Sequence, residues 1–275
     1  MRYEALVAPP GASAEGPAAP QLWRRYPSRV ATFCIVELQK LSHDRSELVT
    51  RAVQPVLWLV IFGETFNRIH AIPTGNIPYI DFLAPGIIAQ SGLFIAIFYG
   101  IMIIWERDAG VLTKLLVTPT PRSALILGKA FSAGIRAVAQ VIVVLIVSAL
   151  LGVALTWNPI NILGAMLVVL LGSAFFACLS MTIAGIVLKR DRLMGFGQMI
   201  TMPLFFASNA LYPVAIMPFW VQQLSKVNPL TYEVDALRGL LLGTHAFLLL
   251  DFGVLLAAVA IGVTAASTLV NRLAR

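Results

Sequence analysis

Six apolar stretches separated by short polar segments run along the chain. The hydrocarbon core of a bilayer is about 30 Å thick, so one helical span needs about 20 mostly apolar residues. The predicted spans cover residues 52–69, 82–105, 124–155, 161–187, 193–213 and 246–270. Gly, Ala and Ser recur through the second to fifth spans, as expected where helix backbones pack closely. The pattern predicts an all-α, polytopic membrane protein with six transmembrane helices.

The region before the first span divides into two parts. Residues 1–21 are rich in Ala, Pro and Gly and lack an apolar signal core, so we expect a disordered tail there. Residues 22–51 contain SRVATFCIVELQKLSHDRSE, in which Ser28 is a plausible helix N-cap. Its apolar residues fall on one helical face: Val30, Phe33, Cys34, Leu38 and Leu41. This segment is predicted to be an amphipathic helix in the cytoplasmic interface, serving either as an anchor or as part of a docking surface. The six-span domain then occupies residues 52–275.

The segment 214–245 is apolar but interrupted by Pro218 and Pro229. We predict a broken, re-entrant pair of short helices that dips into the outer leaflet before the last span. Backbone breaks at that depth are tolerated only where protein or water covers them. Thr231 is a candidate N-cap for a helix that runs to Leu242, with Gly243 ending it.

Composition and charge support the membrane assignment and give an orientation. The chain is 59% hydrophobic and 12% charged, with a mean hydropathy of +0.85, whereas soluble domains are about 25% charged. With both termini inside, 16 of the 20 Lys and Arg residues fall on the cytoplasmic side. Excess positive charge marks cytoplasmic loops, so both termini are predicted to be cytoplasmic in a plasma-membrane protein. Because the net charge of +7 is scattered outside the spans, we expect no nucleic-acid partner, only membrane lipids and proteins.

Motifs for catalysis or metal binding are absent from the sequence. The three His residues lie far apart, and neither HExxH nor GxSxG occurs. A phosphate-cradling loop needs GxxxxGK[ST], but Gly128-Lys129 is followed by Ala130. We therefore expect no catalytic residue, metal or cofactor on this chain. Any ATP and Mg²⁺ would be bound by another polypeptide.

Polar residues inside the spans are candidates for a substrate path, because they are costly in lipid. On the fifth span Gln198, Thr201 and Ser208 are predicted to share one helical row, with Asn209 beside it. Trp58 of the first span aligns with Gln54, while Glu64 and Arg68 are spaced for an i,i+4 salt bridge. Helix–helix hydrogen bonding is the alternative role for each polar residue.

A short charged segment, ERDAGVLTKLLVTPTPR, follows the second span directly. Its residues 106–117 are predicted to form a short helix with Glu106 and Asp108 in the first turn and the leucines on one side. Pro119 and Pro121 then end this helix. The alternative is an ordinary charged cytoplasmic loop.

Two runs resemble the permeases of type-2 ABC exporters, and in particular the drug-resistance branch typified by daunorubicin exporters. The first is LAPGIIAQSGLFIAIFYGIMIIWERDAGVLTKLLVTPTPRSALILGKA and the second is NPLTYEVDALRGLLLG. The resemblance implies a permease subunit that moves a lipophilic or amphipathic drug or natural product out of the cell. It also implies pairing with a second permease subunit, identical or related, and with two copies of a separate ABC ATPase.

The resemblance carries over to two groups of residues. It implies that the short helix couples to the ATPase through Glu106, Arg107, Asp108, Gly110, Leu112 and Leu115. In the outer segment, an extracellular gate is one interpretation and a structural cap the other, with Pro229, Tyr232, Glu233 and Arg238 as candidates. Export of a glycolipid or polysaccharide remains an alternative. A secondary transporter is disfavoured, because the acidic residues cluster at span ends.

Overall fold

The computed structural model describes residues 45–69, 72–75, 77–117, 121–244 and 246–273, together with residues 27–28, 30–32, 34–35 and 39. The long elements of this part are all helical. They are α1 (Arg45–Leu57), a π-helical turn (Trp58–Gly63), α2 (Glu64–Ile69), α3 (Tyr79–Asp108), α4 (Val111–Val117), α5 (Arg122–Leu150), α6 (Pro159–Val187), α7 (Arg190–Phe206), a 3-10 turn (Val214–Ile216), α8 (Phe219–Val227), α9 (Pro229–Leu242) and α10 (Leu248–Leu273). The predicted tail and most of the predicted interface helix lie outside the described residues.

Four of the described helices are long and apolar enough to cross a membrane: α3, α5, α6 and α10 (to Val270). The third predicted span is shorter than expected, because its helix ends at Leu150 and Gly152 follows with φ +76°. The stretches 52–69 and 193–213 are divided differently. The first is split among α1, the π-helical turn and α2, and the second contains the 17-residue α7 and an irregular stretch after Phe206. Their passage through the membrane stays a prediction.

Helix α6 is the centre of the fold and packs against α3, α5, α9 and α10. Small residues allow α3 and α6 to approach closely. A β-carbon at Gly100 would lie 2.7 Å from the Ala177 carbonyl oxygen, and the Ser180 hydroxyl donates to the Ile97 carbonyl at 2.7 Å. Helix α3 is the more enclosed, since 78% of its apolar stretch is buried against 28% for α10. The apolar outer face of α10 is therefore available to lipid or to another subunit.

The boundary between α3 and α4 differs from the prediction. Helix α3 continues to Asp108, so Glu106 and Asp108 lie in its last turn and not in the first turn of a separate short helix. The chain then turns at Gly110, whose φ of +71° is readily adopted only by glycine, before α4 begins at Val111. Packing explains the difference: Ile103 and Ile104 are buried, so the long helix gains contacts up to its polar end.

The segment 214–245 contains two short helices, and the second starts earlier than predicted. Asn228, and not Thr231, caps α9: its side chain accepts a hydrogen bond from the Leu230 amide at 3.1 Å, and Pro229 takes the first helical position. Thr231 instead hydrogen-bonds Ser225 through its hydroxyl at 3.1 Å. The predicted end at Gly243 is confirmed, with a left-handed φ of +68°. Whether this segment is re-entrant stays a prediction.

Candidate functional site

The predicted coupling residues connect three long helices near one end of the fold. Glu106 at the end of α3 forms an ion pair with Lys129 of α5, which is only 6% exposed. Arg107 donates to the Leu188 carbonyl after α6 at 3.0 Å and to Asp108 at 2.8 Å. A partly buried ion pair with additional hydrogen bonds is more than a solvated loop would make. Force applied at this point would therefore reach α3, α5 and α6 together.

One side of helix α4 packs against the rest of the protein, and the other side is exposed. Leu112 is fully buried, Leu115 is half-buried, and Val111 and Lys114 are exposed. A cation–π contact also holds this end of α3. Arg190, the first residue of α7, places its guanidinium 3.7 Å from the centre of the Trp105 ring. The exposed surface formed by Asp108, Val111 and Lys114 is therefore braced from behind by α5, α6 and α7.

The residues of the predicted substrate path do not form one helical row. Helix α7 ends at Phe206, so Ser208 lies beyond it, and its hydroxyl donates back to the Phe205 carbonyl at 2.7 Å. Thr201 is 1% exposed and donates to the Gly197 carbonyl at 2.6 Å, whereas Gln198 is exposed. The chain turns at Ala207, and the hydrogen bond from Ser208 to the Phe205 carbonyl holds that turn in place of a further helical turn. The role of these residues in transport stays a prediction.

The structure does bring the first and fifth predicted spans together at Trp58. Its ring stacks on Phe62 with centroids 4.4 Å apart and meets Phe205 of α7 edge to face at 6.0 Å. Trp58 opens the π-helical turn, a feature that often marks functional sites. The predicted salt bridge between Glu64 and Arg68 is present at 3.7 Å and is exposed.

Asn209, the last residue of the predicted path, and Arg238 of the predicted gate lie in one cluster. Its guanidinium donates to the Asn209 carbonyl at 2.6 Å and to the Phe82 carbonyl at 3.3 Å, and it lies 3.6 Å from the centre of the Phe82 ring. The Asn209 amide in turn donates to Asp235 at 2.5 Å. Arg238 therefore ties α9 to the start of α3 and to the loop after α7. Such a clamp fits either a gate or a structural cap.

The remaining gate candidates differ in burial. Glu233 is fully buried, and neither carboxyl oxygen has a hydrogen-bond partner among the described residues. Tyr232 donates its hydroxyl to the Lys226 carbonyl at 2.7 Å, which pins α9 to α8. Pro229 is the first residue of α9 and lines a shallow apolar groove with α7 and α8.

A further polar site lies away from α7 and is separate from the site residues predicted from the sequence. A pocket between α1, α3 and α5 is lined by Thr50, Arg51, Gln54, Pro55, Gln90, Ser91, Phe94, Ile95, Phe98 and Gln140. Gln90 and Ser91 interrupt an otherwise apolar span, and that interruption was the one signal that could have indicated the site.

Four long apolar helices around a tightly packed centre are the architecture of a multi-pass membrane protein. Residues 30–242 match the family model described as ABC-2 type transporter. The chain belongs to the ABC-2 transporter family, whose members are transport permeases and not enzymes.

Several relatives are similar over most of the chain. A protein described as a transport permease, ycf38, from Porphyra purpurea is 31% identical over 193 residues, which cover 70% of this chain and 66% of that protein. The daunorubicin resistance ABC transporter permease protein DrrB1 of Streptomyces coeruleorubidus is 24% identical, covering 76% of this chain and 74% of the relative. Nodulation protein J of Rhizobium leguminosarum bv. trifolii is 26% identical, covering 72% of this chain and 75% of its own.

Proposed function

We propose that this chain is the permease subunit of an ATP-driven exporter that moves a lipophilic or amphipathic compound, a drug or natural product, out of the cell. The observation that carries the proposal is the cytoplasmic surface around α4. It is exposed at Val111 and Lys114, yet the Glu106–Lys129 pair fixes it to the transmembrane helices. Such a surface suits a partner that pushes on it. ABC-2 permeases typically work with an ATPase subunit, and two copies of each are expected here.

The arrangement in the membrane belongs to the same proposal. We expect six spans with both termini in the cytoplasm of the plasma membrane, so that α4 and the α6–α7 junction lie on one side. The relative named for daunorubicin resistance favours a drug-like cargo. Export of a glycolipid or a polysaccharide is the alternative, and a secondary transporter is a weaker one.

The energy source gives the first test. ATP and Mg²⁺ are expected on the partner, because this sequence lacks a phosphate-cradling loop. Coexpression with its ATPase should give vanadate-sensitive ATP hydrolysis in membranes, together with reduced cellular accumulation of lipophilic compounds. The permease purified alone should not hydrolyse ATP. Robust turnover by the permease alone, or export driven by an ion gradient after ATP is depleted, would contradict the proposal.

A further inference from the structure

The pocket beside Gln90 is separate from the predicted path on α7. It has a volume of about 150 Å³ and lies where α1, α3 and α5 meet. Its outer part is formed by exposed side chains of α1 and α3, Gln54 and Phe98. Its inner part is formed by Gln90 and Gln140, which are 3% and 1% exposed. We call this site the Gln90 pocket. It therefore combines an accessible entrance with a polar interior.

Gln90 is the residue that points to a ligand. Its side-chain amide makes no hydrogen bond with any described residue, although neighbouring Ser91 donates its hydroxyl to the Ile87 carbonyl at 2.7 Å. An amide in this position takes its hydrogen-bond partner from whatever fills the cavity. Since the Gln90 side chain lines the cavity, a molecule inside the cavity can supply that partner.

The walls set the size and shape of the occupant. Phe94 and Phe98, one turn apart on α3, form an aromatic side of the pocket. A cavity of about 150 Å³ is large enough to hold a benzene-sized ring. The pocket therefore suits one ring of a larger amphipath, with the rest of that molecule extending past Phe98.

The charges set the chemical class. Three glutamine amides line the pocket, from Gln54, Gln90 and Gln140. The lining residues include no acidic side chain, and Arg51 is the one charged residue among them. Amides donate and accept hydrogen bonds without charge, so they match carbonyl and hydroxyl groups. A cationic amine would enter without a carboxylate to compensate its lost hydration.

We infer that the Gln90 pocket binds the ring portion of an uncharged amphipath that carries a carbonyl or hydroxyl group. The inference deepens the proposed export function, since it names the class of cargo. Binding itself does not require the ATPase, so the two can fail independently.

The test uses two benzophenone photoprobes that differ in charge. The uncharged probe is 4-(hydroxymethyl)benzophenone, and the cationic probe is (4-benzoylbenzyl)trimethylammonium. The full-length permease in lipid nanodiscs is irradiated with each probe, and mass spectrometry locates the labelled residues. The uncharged probe should label residues 50–55 and 90–98 in preference to the cationic one.

Three variants make the test specific. Gln90→Leu should reduce labelling by the uncharged probe about tenfold, the equivalent of one hydrogen bond. Gln90→Glu should shift the preference towards the cationic probe, because it adds a carboxylate. The matched control is Gln222→Leu on α8, whose amide donates to the Met217 carbonyl at 2.9 Å outside the pocket. It should label like the unaltered protein. Size-exclusion profiles and thermal unfolding confirm that each variant is folded.

Unchanged labelling in a folded Gln90→Leu variant would overturn the inference. So would a wild-type protein that is not labelled in the pocket, since water alone would then satisfy Gln90. Probe-specific labelling without ATP-dependent export in cells would leave the pocket established and refute the exporter. ATP-dependent export without labelling of the pocket would support the exporter and refute the Gln90 pocket as a binding site.

Discussion

Gly172 of α6 faces the Glu233 carboxyl of α9 so closely that a β-carbon at Gly172 would overlap with Oε2. The carboxyl has little room to move, because Glu233 is fully buried. Its other oxygen, Oε1, lies against α3, 3.7 Å from where a β-carbon on Gly92 would be. Glycine is thus required at 172 by the approach of a neighbouring side chain and not by backbone conformation.

A double-mutant cycle tests this contact. Gly172→Ala should destabilise the protein by about 1–3 kcal/mol, because it overpacks the α6–α9 contact. In a Glu233→Ala background, Gly172→Ala should cost much less stability, because the carboxyl that it would overlap is gone. If the two positions were independent, the two changes in unfolding free energy would add. The control is Gly195→Ala on α7, where no heavy atom lies within 4 Å of the new methyl. Thermal unfolding in detergent gives the four midpoints. Strict additivity would show that the close contact is not formed.

Between α3 and α4 the turn at Gly110 sets the direction of the short helix. Its φ is +71° and no heavy atom lies within 4 Å of a β-carbon built there. Backbone conformation, and not space, therefore decides which residues position 110 accepts. Asparagine tolerates left-handed angles, and proline is held near −65°.

Two substitutions at Gly110 test whether the direction of α4 matters for binding the ATPase. Gly110→Pro should leave membrane insertion intact but lower the amount of ATPase that copurifies, since α4 is redirected. Gly110→Asn should retain most of the association. If both variants copurify and transport normally, α4 is only a loop and the proposed coupling role is wrong.

The brace behind α4 is tested by exchanging charges. An ion pair between Glu106 and Lys129 joins α3 and α5. Lys129→Glu replaces it with two carboxylates that repel each other. We expect weaker ATPase association, restored by the double variant Glu106→Lys with Lys129→Glu. Arg272→Glu, exposed near the end of α10, is the matched control. Failure of the double variant to recover, with the protein folded, would mean that the pair does not act through mutual attraction.

At the scale of the whole molecule, the number of membrane crossings distinguishes two topologies. Four helices are long and apolar enough to span it, and the crossings by residues 52–69 and 193–213 rest on the sequence pattern. The two possibilities differ after α6. If the α6–α7 junction is cytoplasmic, a crossing by α7 puts Lys226 outside and Arg272 inside. Without it, the two positions exchange sides.

Cysteine labelling distinguishes these topologies. In a background with Cys34→Ser and Cys178→Ala, the variants Lys226→Cys and Arg272→Cys are treated with a membrane-impermeant maleimide. Six spans with cytoplasmic termini predict labelling of position 226 on intact cells and of position 272 only after permeabilisation. The opposite pattern would contradict six spans with cytoplasmic termini.

The sequence by itself determined the helical class, the membrane location and the family. Long apolar runs must satisfy their backbone hydrogen bonds internally in lipid, so helix is the structure that their composition favours. Local signals of the same kind placed Gly243 at the end of α9 and the Glu64–Arg68 pair on one helical face. These features depend only on residues close together in the chain.

Tertiary structure decided the rest, because it depends on which helix faces meet. Buried isoleucines extend α3 to Asp108, and the end of α7 at Phe206 removes Ser208 from the predicted row. The Gln90 pocket needs three helices from distant parts of the chain, so spacing along the sequence could not place Gln90 beside Gln140. Hydropathy describes each segment separately, whereas a site between segments is created by their packing.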